Sequence, residues 1–317
     1  MRDNEGTYYP AEEDEEPAVR AGETYLHGAS GQRKATGSYF TPDFAVQHLL
    51  NHSLEPALDD HIERLDSMDD REAAEQFFNF RVADIAMGSG HFLVAAVDRI
   101  EKKLSNYLAD RSIPGVEDEL ERLRRTALDA LGPAYEADDI EDTPLLRRQI
   151  ARRCIYGVDL NRMAVQLARL SLWTHTFVPG LPLSFLDQNI VQGNSLVGIA
   201  DFDEAAELLG GDMPLYADFV QTFLESYRDK VRRLAELSDA TAAQVEDARE
   251  EHAELHEKLK PLRDMLTVLT ASRLPEMDYE ATKEDFEPLQ SERTQKLYER
   301  AKSVLGELTP FHFPTAF

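Results

Sequence analysis

A short apolar segment that ends in a glycine-containing turn constrains the fold of this chain most strongly. Residues 82–86 read Val-Ala-Asp-Ile-Ala, an apolar run bounded by turn residues, and this pattern predicts a buried strand. Gly88 and Gly90 interrupt the run, and an amphipathic helix is predicted to begin near His91. Glycine permits both the torsions of a sharp turn and a close approach of the backbone to a ligand. A strand, a glycine turn and a helix in this order predict an α/β fold that can bind a nucleoside cofactor.

A second strand is predicted to begin at Ile155 and to end at Asp159, where an acidic side chain can accept both hydroxyls of a ribose. Asp159 follows Asp84 by 75 residues, whereas a compact dinucleotide fold places this acid about 20 residues after the turn. A helical insertion between the two strands accounts for the difference without disturbing the sheet. A helix over residues 161–176 and a third strand near residues 190–191 complete the predicted α/β unit.

Changes in composition divide the chain into four regions. We predict an acidic flexible arm over residues 1–36, an α/β domain over 37–202 with a helical insertion over 101–150, a helical arm over 203–306, and a closing segment over 307–317. The first region is acidic with scattered glycine, which is typical of disordered segments. Proline-punctuated charged sequence marks the insertion, and long stretches rich in Glu, Arg and Leu mark the helical arm.

The charge balance is the reverse of what nucleic-acid binding favours. The chain has 60 acidic and 34 basic residues and a formal net charge of -26, whereas phosphate contacts need clustered Lys and Arg. One interpretation is that the protein does not touch nucleic acid. The other is a halophilic protein of a high-salt cytoplasm, in which molar salt reduces the Debye length to about 3 Å and screens repulsion from DNA. Arg outnumbers Lys, and this favours the halophilic interpretation.

The cysteine and hydropathy patterns bear on the compartment. The single cysteine, Cys154, excludes an internal disulfide and fits a reducing cytosol. Residues 1–20 lack the apolar core of a signal peptide, and no apolar run is long enough for a membrane span. The histidines show no metal-ligand spacing, so no metal site is predicted. We therefore expect a soluble cytoplasmic protein.

Several short motifs follow one another along the chain, and together they are more specific than the glycine turn alone. They are Gly37–Pro42, Asp84–Gly90, Ile155–Asn161, Phe185–Asp187 and Gly193–Gly198. This ordered set resembles the adenine-specific (N6) DNA methyltransferases of restriction-modification and phage-exclusion systems, in their N-terminal cofactor-binding portion. The resemblance covers roughly residues 30–200.

The resemblance implies a class I methyltransferase sheet, which is Rossmann-like, and S-adenosylmethionine as the cofactor. Residues 39–42 would pack against the methionine end of the cofactor, residues 84–90 would line its methionine and ribose, and Asp159 would hold the ribose hydroxyls. Either Asp187 or Asn194 would reach the adenine amino group, and the resemblance leaves that choice open. The cofactor-binding residues implied in this way are Tyr39, Thr41, Pro42, Asp84, Gly88, Gly90, Asp159, Asp187 and Asn194.

The same resemblance implies that a catalytic segment is missing. In these enzymes an Asn or Asp, two prolines and an aromatic residue hold a flipped adenine, but this sequence contains no Pro-Pro pair. Pro310–Pro314 resembles the stretch that precedes that segment, so residues 307–317 are interpreted as a truncated lead-in to an absent catalytic strand. No catalytic residue is therefore assigned to this chain. The sheet is expected to be incomplete, with strands one to three only and the first strand as an exposed edge.

Three functions follow from these observations. The first is site-specific DNA adenine N6 methylation, with this chain as the cofactor half and a second chain or downstream segment for catalysis and target recognition. The second is a catalytically silent cofactor-binding or scaffold subunit of a defence complex. An Asn-Pro-Pro-aromatic segment encoded downstream would favour the first over the second. The third, a nicotinamide-dependent enzyme, is disfavoured because the turn lacks the third glycine of that fingerprint.

Two pairs of side chains are assigned structural roles. Arg152 and Arg153 could contact phosphate, but we expect them to be solvated charges at a helix end. Trp173 and Phe177 are expected to lie in the hydrophobic core.

Overall fold

The computed structural model describes residues 41–136, 139–184, 186–209, 239–279, 282, 285–286 and 291–316. The chain divides into a short unit, Met1–Pro42, and a main unit, Asp43–Phe317. The α-helices of the main unit are α1 (Asp43–Leu49), α2 (Glu55–Asp66), α3 (Asp70–Gln76), α4 (His91–Asp110), α5 (Pro114–Leu131), α6 (Asp142–Arg153), α7 (Arg162–His175), α8 (Phe202–Leu208), α9 (Ala242–Lys258), α10 (Lys260–Ser272), α11 (Glu292–Leu305) and α12 (Phe313–Ala316). A π-helical turn (Leu50–Leu54) and a 3₁₀ turn (Pro275–Met277) also occur. None of these helices is both long and apolar enough to cross a membrane.

The described residues contain one sheet of three parallel strands in the order β1-β2-β3. The strands are β1 (Val82–Asp84), β2 (Ile155–Asp159) and β3 (Ile190–Gln192). Val82 lies opposite Ile155, and Gly157 lies opposite Ile190. This arrangement confirms an α/β fold and is compatible with a Rossmann-like one. Because the strands are parallel, their carboxyl ends share one edge of the sheet, the edge at which such folds bind ligands.

Strand β1 is two residues shorter than the strand 82–86 that the sequence predicts. Its last residue, Asp84, accepts a hydrogen bond of 3.0 Å from the N–H of Ala86, and this Asx-type turn directs the backbone out of the sheet. Ile85 is 46% exposed. The apolar run therefore includes two residues of the loop that follows the strand.

Helices α4 and α7 each follow a strand, and they pack against each other and against the sheet. Leu93, Val97 and Ile100 of α4 are fully buried in the main hydrophobic core. Helix α7 begins at a cap in which the Asn161 side chain accepts a hydrogen bond of 2.9 Å from the N–H of Met163. Between α4 and β2 the chain forms α5 and α6, and α6 packs along α4.

A second hydrophobic cluster lies in the helical region that follows β3. Helices α10 and α11 form its centre, and α8 packs against α10. Leu262, Leu266 and Leu269 of α10 and Ala301 of α11 are fully buried there. Residues 210–238 of the predicted helical arm lie outside the described residues.

The structure corrects two side-chain predictions. Arg152 is not a solvated charge: it is 7% exposed, and its guanidinium lies 3.9 Å from the carboxylate of Asp239. Arg153 lies over the ring of Phe78, 4.6 Å from the ring centroid. Phe177 is not in the core: it is 56% exposed, because α7 ends two residues before it and the chain leaves the buried face of the helix.

Candidate functional site

The carboxyl edge of the sheet brings two aspartates and the glycine turn together. Asp84 ends β1 and Asp159 ends β2, and both side chains are half-buried. The turn leads from β1 into α4, and it reaches β2 because the N–H of Met87 donates a hydrogen bond of 3.1 Å to the carbonyl oxygen of Val158. The two strand ends and the turn therefore form one continuous surface.

A second hydrogen bond joins the turn to the strand-end carboxylate. The N–H of Gly88 donates to Oδ2 of Asp159 at 2.9 Å, and the N–H of Asn161 donates to Oδ1 at 2.7 Å. Each carboxylate oxygen has two lone pairs, so each keeps acceptor capacity for a further donor such as a sugar hydroxyl. The Asp159 carboxylate thus shapes the turn and is still able to bind a ligand.

Gly88 and Gly90 have different roles in this turn. Both adopt left-handed torsions, with φ of +55° and +81°, which glycine adopts at little cost. A Cβ at Gly90 would lie 3.0 Å from the Cβ of Ala168, so this glycine lets the turn pack closely on α7. A Cβ at Gly88 would meet no heavy atom of the described residues within 4 Å. Among the described residues, therefore, nothing fills the space beside Gly88 that a ligand approaching the backbone would require.

Met87, which immediately precedes Gly88, is buried and covers the middle of β2. A Cβ at Gly157 would lie 2.3 Å from the sulfur of Met87 and 2.8 Å from a methyl group of Leu93. Glycine in the strand is therefore what allows the turn and α4 to settle onto the sheet.

The carboxylate of Asp84 lies in an environment that opposes its ionisation. Burial raises the pKa of Asp84, the hydrogen bond from the N–H of Ala86 lowers it, and the neighbouring charge of Asp159 raises it again, with a net rise. Two carboxylates at one edge repel each other unless a donor or a cation offsets their charge. A pKa shifted by burial and by a charged neighbour is a property of many functional sites.

The loop after β3 also reaches this edge. The hydroxyl of Ser195 donates a hydrogen bond of 2.7 Å to the carbonyl oxygen of Ile85 in the turn. Asn194 lies two residues after β3, and its Oδ1 accepts a hydrogen bond of 3.2 Å from the N–H of Leu196. Asn194 is among the residues predicted from the sequence, whereas Ser195 is not. In the sequence, only the position of Ser195 inside the Gly193–Gly198 motif indicates that it belongs to the site.

The remaining predicted residues are placed elsewhere. Asp187 precedes β3 by three residues, so it lies at the amino end of that strand, and it forms an ion pair with Arg169 of α7. Tyr39 lies outside the described residues, and residues 41–42 close the short N-terminal unit. The predicted residues that the structure places at the carboxyl edge are Asp84, Gly88, Gly90, Asp159 and Asn194.

The sheet and the turn are arranged as in many α/β folds that bind ligands at the carboxyl edge of the sheet. A parallel sheet with acidic strand ends and a glycine turn at its carboxyl edge is an arrangement that binds nucleoside-containing cofactors. Within the described ranges, no three His, Cys, Asp or Glu side chains are grouped so that they could hold a metal ion. The carboxylate oxygens of Asp159 at this edge can accept hydrogen bonds from the hydroxyl groups of an organic ligand.

Comparison with known proteins shows a distant similarity. Over 207 residues the chain is 25% identical to a protein of Methanocaldococcus jannaschii that bears the provisional name of a type II restriction enzyme and methyltransferase. The aligned part is 53% of this chain and 15% of that protein, so the chain spans a small part of the relative's length. No family model matches the chain, and no solved structure matches it.

Proposed function

We propose that this chain is the S-adenosylmethionine-binding part of a restriction-modification methyltransferase, and that the complete enzyme methylates adenine in DNA at N6. The observation that carries the proposal is the hydrogen bond from Gly88 to Asp159. It holds a glycine turn against a strand-end carboxylate, and no atom of the described residues fills the space beside Gly88. The similarity to the M. jannaschii protein supports the methyltransferase class. The choice of adenine N6 rests on the resemblance of the sequence motifs.

In this proposal the bound cofactor supplies an activated methyl group, and the residues of this chain bind and orient the cofactor. Asp159 accepts hydrogen bonds from the ribose hydroxyls. The open backbone at Gly88 permits close approach. Of the two candidates for the adenine amino group, we favour Asn194 over Asp187, because Asn194 follows β3 and Asp187 precedes it.

The charge of the edge favours this cofactor over a dinucleotide. S-adenosylmethionine carries a positively charged sulfonium and an ammonium group, and either would offset the repulsion between Asp84 and Asp159. The pyrophosphate of a nicotinamide dinucleotide would instead be repelled by Asp84. A nucleoside with a cationic tail therefore suits the site better.

Catalysis in this proposal needs a segment that this sequence does not contain, since it has no Pro-Pro pair. A second chain or a downstream segment would supply that segment and the recognition of the DNA target. Among the described strands β1 pairs with β2 alone, and in this proposal a strand of the missing segment would pair with its other edge. Molar salt would screen the repulsion between this acidic chain and DNA in the assembled enzyme.

Calorimetric titration of S-adenosylmethionine into the purified chain, in about molar potassium chloride, tests the cofactor site. Asp159→Ala is expected to abolish binding. Asp129→Ala makes the same change at an exposed position on α5 and is expected to have no effect. NAD should not bind. A wild-type chain that is folded by circular dichroism and does not bind S-adenosylmethionine would contradict the proposal.

A methyl-transfer assay separates an enzyme half from a silent subunit. The chain is co-expressed with an Asn-Pro-Pro-aromatic segment from a related methyltransferase or from the neighbouring reading frame. Transfer of labelled methyl to adenine in duplex DNA, lost in Asp159→Ala, is the expected result. Cofactor binding without transfer in every such pairing would favour the silent subunit.

A further inference from the structure

Residues 194–199, the loop after β3, are paired with residues 310–313, which we call the strap. The N–H of Phe311 donates a hydrogen bond of 2.7 Å to the carbonyl oxygen of Val197, and the N–H of Phe313 donates one of 3.1 Å to that of Ile199. Asn194 and Pro310 form a parallel bridge at the start of the pairing. The strap therefore lies along the loop, joined to it by two backbone hydrogen bonds and one isolated bridge.

Two glycines in this part of the chain make room for the strap. A Cβ at Gly193 would lie 2.3 Å from the ring of Phe311. A Cβ at Gly198 would lie 1.9 Å from the carbonyl oxygen of Phe311. Gly198 also has a φ of +146°, which other residues rarely adopt. Phe311 is 7% exposed. Phe311 can therefore pack here only because residues 193 and 198, the two ends of the loop motif, are glycines.

His312 ties the strap to the helical region. Its Nδ1 accepts a hydrogen bond of 3.2 Å from the N–H of Ile199, and its Nε2 lies 3.0 Å from the hydroxyl oxygen of Thr267 on α10. The Thr267 hydroxyl donates to the carbonyl oxygen of Arg263 at 2.8 Å. The hydroxyl proton is therefore engaged, and the neutral imidazole donates from Nε2. The loop is consequently held from the helical region as well as from the sheet.

We infer that Ser195 is a positioning residue for the glycine turn and that the strap fixes Ser195 in place. The strap holds the loop, the loop presents the Ser195 hydroxyl, and the hydroxyl holds the carbonyl group of Ile85 at 2.7 Å. Ile85 immediately follows Asp84 and begins the segment that leads to Gly88. The inference rests on the proposed function for the identity of the ligand, S-adenosylmethionine.

Hydrogen exchange of the ligand-free chain tests the contact itself. The amides of residues 86–88 each donate to an acceptor at the site, and Ser195→Ala is expected to speed their exchange about threefold to tenfold. Ser195→Thr keeps the hydroxyl and should restore the wild-type rates. Ser53→Ala removes a comparable bond of 2.6 Å to the carbonyl oxygen of Leu49 and should leave those amides unchanged. Unchanged exchange in Ser195→Ala overturns the inference.

Titration with S-adenosylmethionine gives a second readout. Ser195→Ala is expected to raise Kd about threefold to tenfold, the effect of one lost hydrogen bond, with little change in the unfolding midpoint. Equal Kd values in the wild type and Ser195→Ala would overturn the inference and leave the proposed function standing. A wild type that does not bind would overturn the proposed function, and the exchange experiment would still decide the role of Ser195.

A double-mutant cycle tests the strap. Phe311→Ala should speed exchange at residues 86–88, and adding Ser195→Ala should change the rates little further, because both substitutions act on one contact. Should Phe311→Ala fail to fold, Thr267→Val replaces it in the cycle, since it removes only the hydroxyl beside His312. Fully additive effects would show that the strap does not act through Ser195.

Discussion

The amide of Gly88 and the carboxylate of Asp159 are joined by a hydrogen bond of 2.9 Å, although 71 residues separate them in sequence. The bond ties the loop after β1 to the end of β2, so both strands contribute to one ligand-facing edge. Helix α4 leads the chain away from that edge, and α5 and α6 are inserted only after it. The long insertion can therefore be accommodated without altering the site.

Alanine should destabilise the fold by different amounts at the two glycines of the turn. Gly88→Ala should lower the free energy of unfolding by about 1–2 kcal/mol, the cost of left-handed torsions in a residue with a side chain. Gly90→Ala incurs the same torsional cost and also places a methyl group 3.0 Å from the Cβ of Ala168. The additional overpacking should cost about 1 kcal/mol or more.

Urea denaturation of the two variants at the same pH and salt concentration measures the difference. A larger loss for Gly90→Ala than for Gly88→Ala is expected. Equal losses would show that the contact between the turn and α7 relaxes freely.

Asp84→Asn is expected to stabilise the ligand-free chain at pH 7 while weakening cofactor binding. Burial raises the pKa of Asp84 in the folded state above its value in the unfolded chain. Protonation of Asp84 therefore stabilises the folded chain fully at a pH below the pKa that Asp84 has in the unfolded chain. This stabilisation is lost as the pH rises through the pKa that Asp84 has in the folded chain. Asparagine avoids this loss and keeps an oxygen for the N–H of Ala86. Its advantage should disappear in acid.

Unfolding midpoints at pH 7 and near pH 4 test this prediction, with Asp129→Asn as the matched exposed control. A lower midpoint for Asp84→Asn at pH 7 would mean that the ionised carboxylate stabilises the fold.

Local sequence signals predict the strand-turn-helix units of this chain well. The apolar run at residues 82–86, the two glycines and the capping Asn161 each act within a few residues, and the structure has β1, the turn and the start of α7 there. The exact end of β1 could not be predicted in this way, because an aspartate within an apolar run fits either a strand or an Asx-type turn.

Contacts between distant parts of the chain are the part that the sequence does not predict. The bond between Ser195 and Ile85 joins residues 110 positions apart, and no local pattern indicates it. The placement of Asp187 shows the same difficulty. The sequence Phe-Leu-Asp at residues 185–187 does not by itself show at which end of β3 the aspartate lies. The backbone after Leu186 forms a turn, in which the carbonyl oxygen of Leu186 accepts from the N–H of Ile190 at 2.9 Å.

Removing one partner of the buried ion pair between Arg148 and Asp239 should destabilise the fold more than removing both partners. Both side chains are 2% exposed, and a guanidinium nitrogen lies 2.8 Å from the carboxylate. Asp239→Ala leaves the charge of Arg148 buried and uncompensated, which should cost about 3–5 kcal/mol. Replacing both residues, as Arg148→Met with Asp239→Leu, removes both charges of this pair and should recover part of that loss, although Arg152, 3.9 Å from Asp239, loses the carboxylate in both variants. Urea denaturation of the single variants and of the double variant gives the coupling free energy between the two residues. Losses of unfolding free energy that simply add would contradict the prediction.

Because of His312, the free energy of unfolding is expected to decrease as the pH falls from about 6.5 to about 4. Burial lowers the pKa of His312 to about 4, and the nearby charge of Arg263 lowers it as well, whereas an unfolded chain has a histidine pKa of about 6.5. Between these values the unfolded state binds a proton that the folded state does not, so stability decreases with falling pH. The contribution over this window should be about 3 kcal/mol. His252 and His256 also have lowered pKa values and add a slope of the same sign.

His312→Asn separates this contribution from the others. The asparagine oxygen can accept from the N–H of Ile199, as Nδ1 does, but it gains no proton in this range. The variant should be less stable than the wild type near pH 7, because the contact with Thr267 is lost, and the gap should narrow as the pH falls toward 4. Urea denaturation at half-unit pH steps measures this, with the exposed His48→Asn as control. Parallel curves for wild type and His312→Asn would mean that His312 takes up its proton without disturbing the strap.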